Sequence, residues 1–371
     1  MVFFFSSALA FGAWFPTSLT AAPAGANRIQ AGASLATVLL MDTPVAVAPK
    51  LVLVTGAGGF LGAHVVRALL QSGHEVRAIV RSGRPRNHIR KLGVELVDGD
   101  VLDEPGMNDA CKGVDAIIHC ASLISYWARQ RTQLERINVE GPMVLLRSAN
   151  AAGVRRIIHI SSAGTVGTST SGEILDESAP WDVEAPLIPY LKTKRMGESL
   201  LLAAAWGGME VVVVNPSLML GPHLDGSAPS PLISGIMRGR LPWIPPGGVS
   251  VTDVTDVAQA VVRSLETGRS GQRYLMAGHN VTWEGLYEAI AESADGRVPK
   301  KKLSQRRLSW LTRAARARDL VNLTRPPWTP EVYRSYGSYS WFRSDKAAAE
   351  LGYDVRSLKR IVRHAVRRED P

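Results

Sequence analysis

The chain of 371 residues contains only two cysteines, Cys111 and Cys120. Two thiols so placed make neither a disulfide framework nor a thiolate metal site. No Cys-x-x-Cys or His-Glu-x-x-His spacing occurs, so no metal is expected. Cys120 lies in the apolar run Ala116-Ile117-Ile118-His119-Cys120-Ala121 and reads as a buried structural thiol. Acidic residues are in deficit, 33 against 43 basic, for a formal charge of +10. That balance suits nucleic acid, an anionic membrane surface or a phosphate-bearing ligand, and alone it does not choose among them. No nucleic-acid-binding module and no basic stripe with stacking aromatics is present, so no nucleic acid partner is expected.

The apolar stretch at residues 2–15 is too short to span a membrane. It could open a secretory signal with a small-residue site near residues 21–26, but no Lys or Arg precedes it. Met41 stands ten residues before Leu51, where the first strand begins. Residues 1–49 are therefore read as a disordered extension or a consequence of start-site choice. A cytoplasmic location follows as the expectation.

What is present begins at residue 51. Leu51-Val52-Leu53-Val54 is a continuous apolar run, as a buried parallel strand requires. Thr55-Gly56-Ala57-Gly58-Gly59-Phe60-Leu61-Gly62 follows at once. Residues 63–72 carry helical periodicity and Gly73 closes them. A second strand covers 75–80. Glycines in a strand–turn–helix unit let the backbone approach a pyrophosphate resting on the helix N-terminus. Gly56, Gly59, Phe60, Leu61 and Gly62 are thus candidate cofactor contacts. The second strand ends in Arg81, with Arg84 and Arg86 nearby, where an acidic residue would bind a ribose hydroxyl. A guanidinium suits a 2′-phosphate, which favours NADP(H) over NAD(H).

Strands are expected at 94–97, 115–120 and 156–160, and a helix at 136–152. This alternation implies an α/β fold: a Rossmann-type doubly wound parallel sheet, with ligands at the carboxyl ends of its strands. Residues 50–214 form the nucleotide-binding domain. Residues 215–371 form mainly a smaller C-terminal substrate-binding lobe, with returns to the sheet.

Tyr190 and Lys194 stand four apart at the start of a helix expected to reach about residue 205, and so share a face. A phenol with a pKa of about 10 is a poor acid–base catalyst at neutral pH. A nearby ammonium lowers that pKa, and a hydroxyl that orients the substrate oxygen completes the set. Ser162, at the end of the 156–160 strand, is placed for that task.

These motifs, with Asp100-Val101, Asn138-Val139-Glu140-Gly141, Ser161-Ser162-Ala163-Gly164-Thr165-Val166-Gly167 and Asn215-Pro216-Ser217, fall in one order over residues 50–360. In them the sequence resembles the extended short-chain dehydrogenase/reductase superfamily, including its NAD-dependent epimerase/dehydratase-like members. Within it the chain is similar to dihydroflavonol-4-reductase-like, 3β-hydroxysteroid dehydrogenase-like and hopanoid-associated epimerase-like members. The resemblance implies that Ser162, Tyr190 and Lys194 are catalytic. It implies that Asp100 and Val101 flank adenine, that Ala121 lies near the ribose, and that Pro216 and Ser217 contact the nicotinamide end. Asn138 is implied in a proton relay, and a homodimer is implied. Tyr190 would donate a proton to a carbonyl oxygen, Ser162 would orient it, and Lys194 would lower the Tyr190 pKa and bind ribose.

Departures narrow the chemistry. Ala163-Gly164 replace the Asp-Glu pair of sugar-nucleotide dehydratases. Leu218 replaces an Asn common in UDP-sugar enzymes, and residues 249–254 lack their arginine. An unpaired diphosphate would be costly to bury. The expected substrate is therefore an uncharged, largely apolar molecule, polycyclic or lipid-like, interconverted between ketone and secondary alcohol. Residues 123–127, Trp181, Leu218, Met219, Trp243 and Ile244 are candidate pocket walls. The alternatives are a sugar-nucleotide epimerase and a non-catalytic cofactor-sensing protein, against which the retained Tyr190 and Lys194 argue. Residues 297–318 are basic, with interspersed Leu303, Leu308, Trp310 and Leu311, and are a candidate for peripheral membrane contact.

Overall fold

A computed structural model describes residues 50–83, 86–180, 188–321 and 328–367. The extension at 1–49, Arg84 and Trp181 lie outside the described residues.

Seven parallel strands make the main sheet: β1 (Leu51–Thr55), β2 (Glu75–Val80), β3 (Glu95–Asp98), β4 (Ala116–His119), β5 (Arg156–Ile160), β6 (Glu210–Pro216) and, further along the chain, β9 (Gln272–Met276). Their order is β3-β2-β1-β4-β5-β6-β9. The central strands are apolar on both faces, because helices cover both. One face packs the helices Phe60–Gln71 and Val254–Thr267, and the other packs Gly141–Ala151 and Pro189–Ala204. Chain order reverses direction between β1 and β4, and the crevice at that switch point is where such sheets bind ligands.

A second sheet forms on β8 (Gly248–Asp253). Antiparallel β10 (His279–Thr282) takes one edge, while β7 (Leu218–Leu220) and β11 (Tyr339–Ser340) pair with it in parallel. Bridges Ser169 to Tyr339 and Leu175 to Phe342 join the segment after β5 to the far end of the chain.

Two expected helices differ in detail. The first begins at Phe60 rather than residue 63, because Gly59 is its N-cap; Gly62 is therefore inside the first turn. The expected helix at 136–152 is two pieces, a π turn Arg136–Glu140 and an α-helix Gly141–Ala151. Pro142 explains the change. It has no N–H to give the carbonyl four residues back, so the regular ladder breaks there.

The basic segment yields the helix Gln305–Val321. Leu308 and Ala315 are buried in a cluster with Tyr333. That side is used for packing; on the other, Trp310 projects outward, 70% exposed, among exposed arginines. Among the described residues no helix is long and apolar enough to cross a membrane.

Candidate active site

The glycine turn is tight. Gly59 N donates to Gly56 O at 2.9 Å. Gly56 has φ +69°, and a Cβ there would lie 2.7 Å from the backbone of Ala121. A Cβ on Gly62 would lie 2.2 Å from Gly56 O. Side chains are excluded at both positions, so backbone meets backbone at the mouth of β1 and β4. No side chain caps the helix that follows, and its first turn holds no acid. Its leading N–H groups, with Phe60 and Leu61, are left to an anion. A dinucleotide pyrophosphate fits this cradle.

Around it stand the other expected contacts. Arg81 follows β2, half exposed, 4.0 Å from Asp100 Oδ2. Arg86 is paired with Asp98 instead, and Arg81 is the guanidinium paired with Asp100 among the described residues. Val101 is buried against Gly141. Ala121 N donates to Thr55 Oγ1 at 3.3 Å. Pro216 ends β6, and the Ser217 hydroxyl is buried with no hydrogen-bond partner. An orphaned hydroxyl where a nicotinamide carboxamide is expected is the second feature that fits the cofactor.

The catalytic candidates converge at the ends of β4 and β5. Ser161 and Ser162 extend β5, but they point to different tasks. Ser161 Oγ donates to Glu198 Oε2 at 2.6 Å. The Ser162 hydroxyl accepts from Gly164 N at 3.3 Å and lies on the side of the Tyr190 phenol. The Tyr190 ring is 8% exposed and lies 5.8 Å from the ring of Tyr126. Burial first, then Tyr126, raises the phenol's pKa; Ser162 opposes the rise. Tyr190 is accordingly held as the neutral acid.

Lys194 is buried on the same helix and donates to Ile160 O at 2.6 Å. Burial lowers its pKa to about 8, with Glu198 and then Cys120 opposing. The sequence reading gave Lys194 the task of lowering the Tyr190 pKa. In this structure burial of the phenol is the larger effect, and the ammonium is engaged by the strand. Behind it, His119 and His159 stack with centroids 5.3 Å apart. Burial, then Lys194, pushes His119 down to about 3 and lowers His159 as well, so both are neutral. Cys120 is pushed up to about 12 by burial, as an inert thiol should be.

Asn138 sits in the π turn. Its amide donates to Leu123 O at 3.0 Å and to Thr193 Oγ1 at 3.1 Å. Its Oδ1 accepts from Ser122 Oγ at 3.0 Å and Leu123 N at 2.9 Å. The side chain is fully used in tying the 122–123 loop to the Tyr190 helix. Gly197 lets that helix close, since a Cβ there would be 2.2 Å from Asn138 O.

Two features were not read from the sequence. Glu198 is fully buried and accepts from Ser161, Thr165 and Asn215, with Arg273 at 2.7 Å and Arg195 at 3.2 Å. Its signal was available: Tyr190, Lys194 and Glu198 recur every four residues. Tyr126 was read only as one of a run of pocket walls. Of the other candidates, Leu218 and Met219 are half-buried. Trp243 joins an aromatic cluster, 5.0 Å from Trp328, whereas Ile244 is buried in the small-lobe core.

Residues 52–277 match the family described as the NAD dependent epimerase/dehydratase family. The chain is 35% identical to sterol demethylase protein B of Methylococcus capsulatus, over 65% of this chain and 73% of that protein. It is 28% identical to a 4-hydroxy-2-methyl-3-oxo-4-farnesyl-3,4-dihydroquinoline-1-oxide ketoreductase of Stigmatella aurantiaca, over 86% of this chain and 96% of that one. The crystal structure of gox2253 is similar with a TM-score of 0.74 and 31% identity, covering 85% of this chain and 97% of that one.

Proposed function

We propose that this chain, which belongs to the NAD-dependent epimerase/dehydratase family, is an NADP(H)-linked oxidoreductase that interconverts a ketone and a secondary alcohol on an apolar small molecule. The observation that carries the proposal is the convergence of Ser162, at the end of β5, with a buried Tyr190 and a buried Lys194 that is bonded to Ile160 O two residues before that serine. A phenol held as the acid is ready to give its proton to a carbonyl oxygen. A carbonyl oxygen placed against the two hydroxyls is oriented by Ser162 and protonated from Tyr190 Oη. When bound, the nicotinamide cofactor supplies or accepts the hydride. Lys194, one helical turn on from Tyr190 and held by Ile160 O, would bind the cofactor ribose and supply positive charge to the phenolate left behind. Leu123, Leu134, Ile188 and Leu191 surround the rings of Tyr126 and Tyr190 and exclude water from the transfer.

Arg81 supports NADP(H), because a 2′-phosphate beside the ribose would meet a guanidinium rather than a carboxylate. Two relatives named for a sterol and for a farnesylated quinoline ketone support an apolar, ring-bearing substrate. The test is NADPH oxidation with a panel of polycyclic and prenylated ketones, alongside NADH and a UDP-hexose. Ketone reduction that prefers NADPH is the expected result. Epimerisation of the UDP-hexose with no ketone reduced would overturn the reading.

A further inference from the structure

The small lobe contains a cavity of about 480 Å³ with an unusual pairing of walls and mouth. Its walls include Leu232, Leu241, Tyr287, Trp328 and Tyr336. Trp243 backs this aromatic group, with ring centroids 5.0 Å from Trp328 and 5.8 Å from Tyr336. Arg238 and Arg240 complete the lining, and both are exposed. They flank Gly239, whose φ of +60° ends the helix Pro231–Met237 and turns the chain back along the cavity. Neither guanidinium makes an ion pair with a carboxylate among the described residues. Gly235 permits the fold-back: a Cβ there would lie 2.7 Å from Leu241 Cδ2.

The cavity is linked to the catalytic tyrosine by a short chain of contacts. Trp328 precedes Thr329, whose hydroxyl donates to the main-chain oxygen of Tyr126. The Tyr126 ring is 5.8 Å from the Tyr190 ring. Tyr126 thus contacts both Tyr190 and the segment that carries Trp328 into the cavity wall, and a ligand with its ketone at Tyr190 would run along Tyr126 toward Trp328, Tyr336 and the two arginines.

We infer that the substrate is amphipathic: an apolar body carrying an oxyanion, a carboxylate in the simplest case, at the end remote from the reacting carbonyl. An aromatic cavity alone would take a neutral molecule. Two guanidiniums with no acidic partner among the described residues, on the rim of that cavity, match a planar oxyanion and reward it over a neutral end group. This rests on the oxidoreductase reading and changes one expectation drawn from the sequence, that of an uncharged substrate. The sequence could not show it, because nothing local to Arg238 and Arg240 sets them apart from the other basic residues.

The test uses two probes of one skeleton, anilinonaphthalene sulfonate and uncharged phenyl-naphthylamine, titrated against the full chain. Quenching of tryptophan fluorescence reports binding, and Trp328→Phe locates it by removing part of the quench. The sulfonate should bind about tenfold more tightly. Arg238→Gln combined with Arg240→Gln should erase that preference while leaving the neutral probe's affinity unchanged. Equal affinities, no binding of either probe, or a preference that survives the double substitution would overturn the inference. In parallel, an oxo acid and its methyl ester are compared for kcat/KM. Reduction of neutral ketones without any sulfonate preference overturns this inference alone. A sulfonate preference without reduction of any ketone overturns the oxidoreductase reading instead.

Discussion

The Lys194 ammonium donates to the carbonyl oxygen of Ile160, the last residue of β5 and two positions before Ser162. One hydrogen bond thereby fixes the Tyr190 helix against the strand that carries its partner hydroxyl. Tyr190 and Ser162, the proposed proton donor and orienting group, are set in register by this lysine.

Tyr190→Phe should reduce turnover by roughly a thousandfold, the range expected for losing a positioned general acid. The Phe ring keeps the packing against Tyr126, so cofactor binding should hold. Steady-state kinetics beside a cofactor fluorescence titration check both halves. Turnover within tenfold of the parent would remove Tyr190 from the mechanism.

Burial lowers the Lys194 pKa from 10.5 to about 8. Below that value folded and unfolded chains both hold the proton, and its burial cost is present in full. Between about 8 and 10.5 the unfolded chain binds more protons, so this group makes stability rise with pH across that window. Lys194→Met should flatten the rise. Urea melts of both proteins near neutrality and at high pH measure it; parallel slopes would mean the amine is solvated.

Glu198 is fully buried between Arg273 and Arg195. Glu198→Gln would leave the Arg273 guanidinium without its counter-charge, at a cost of roughly 3 kcal/mol. A loss much smaller than this in urea melts would show that water reaches Arg273.

Gly62→Ala should abolish dinucleotide binding, because its Cβ would meet backbone that has no room to yield, 2.2 Å from Gly56 O. Equilibrium dialysis with NADPH reads the loss. Affinity equal to the parent's would mean that the turn is not the cradle.

Arg81→Ala should raise KM for NADPH about tenfold and leave that for NADH unchanged. A matching rise for both cofactors would point to a structural role beside Asp100.

The strands and the glycine turn were legible because their signal is local. Residues 75–80 and 156–160 are mostly apolar stretches with sharp ends, and the structure gives strands of the same bounds. The site was legible only as a set of positions. Spacing placed Tyr190 and Lys194 on one face, but which atom the ammonium meets depends on β5, a long way off in sequence. The π turn at Arg136–Glu140 was missed because one proline against helical periodicity reads as a tolerated fault. Glu198 was passed over because a charged residue on an exposed-looking helix gives no sign of being fully buried. The arginines at the small-lobe cavity illustrate the same limit: their neighbours Trp328 and Tyr336 come from the other end of the lobe's sequence.

The bridges from Ser169 to Tyr339 and from Leu175 to Phe342 have a consequence for how the molecule comes into being. The segment leading away from Ser162 finds its pairing partner only near the end of the chain. A ribosome that has delivered the whole nucleotide-binding half has not yet supplied the residues that pair with this segment. The two bridges close only once residues 339 and 342 have been delivered, so the segment leading from Ser162 stays without that pairing until nearly all of the chain is made.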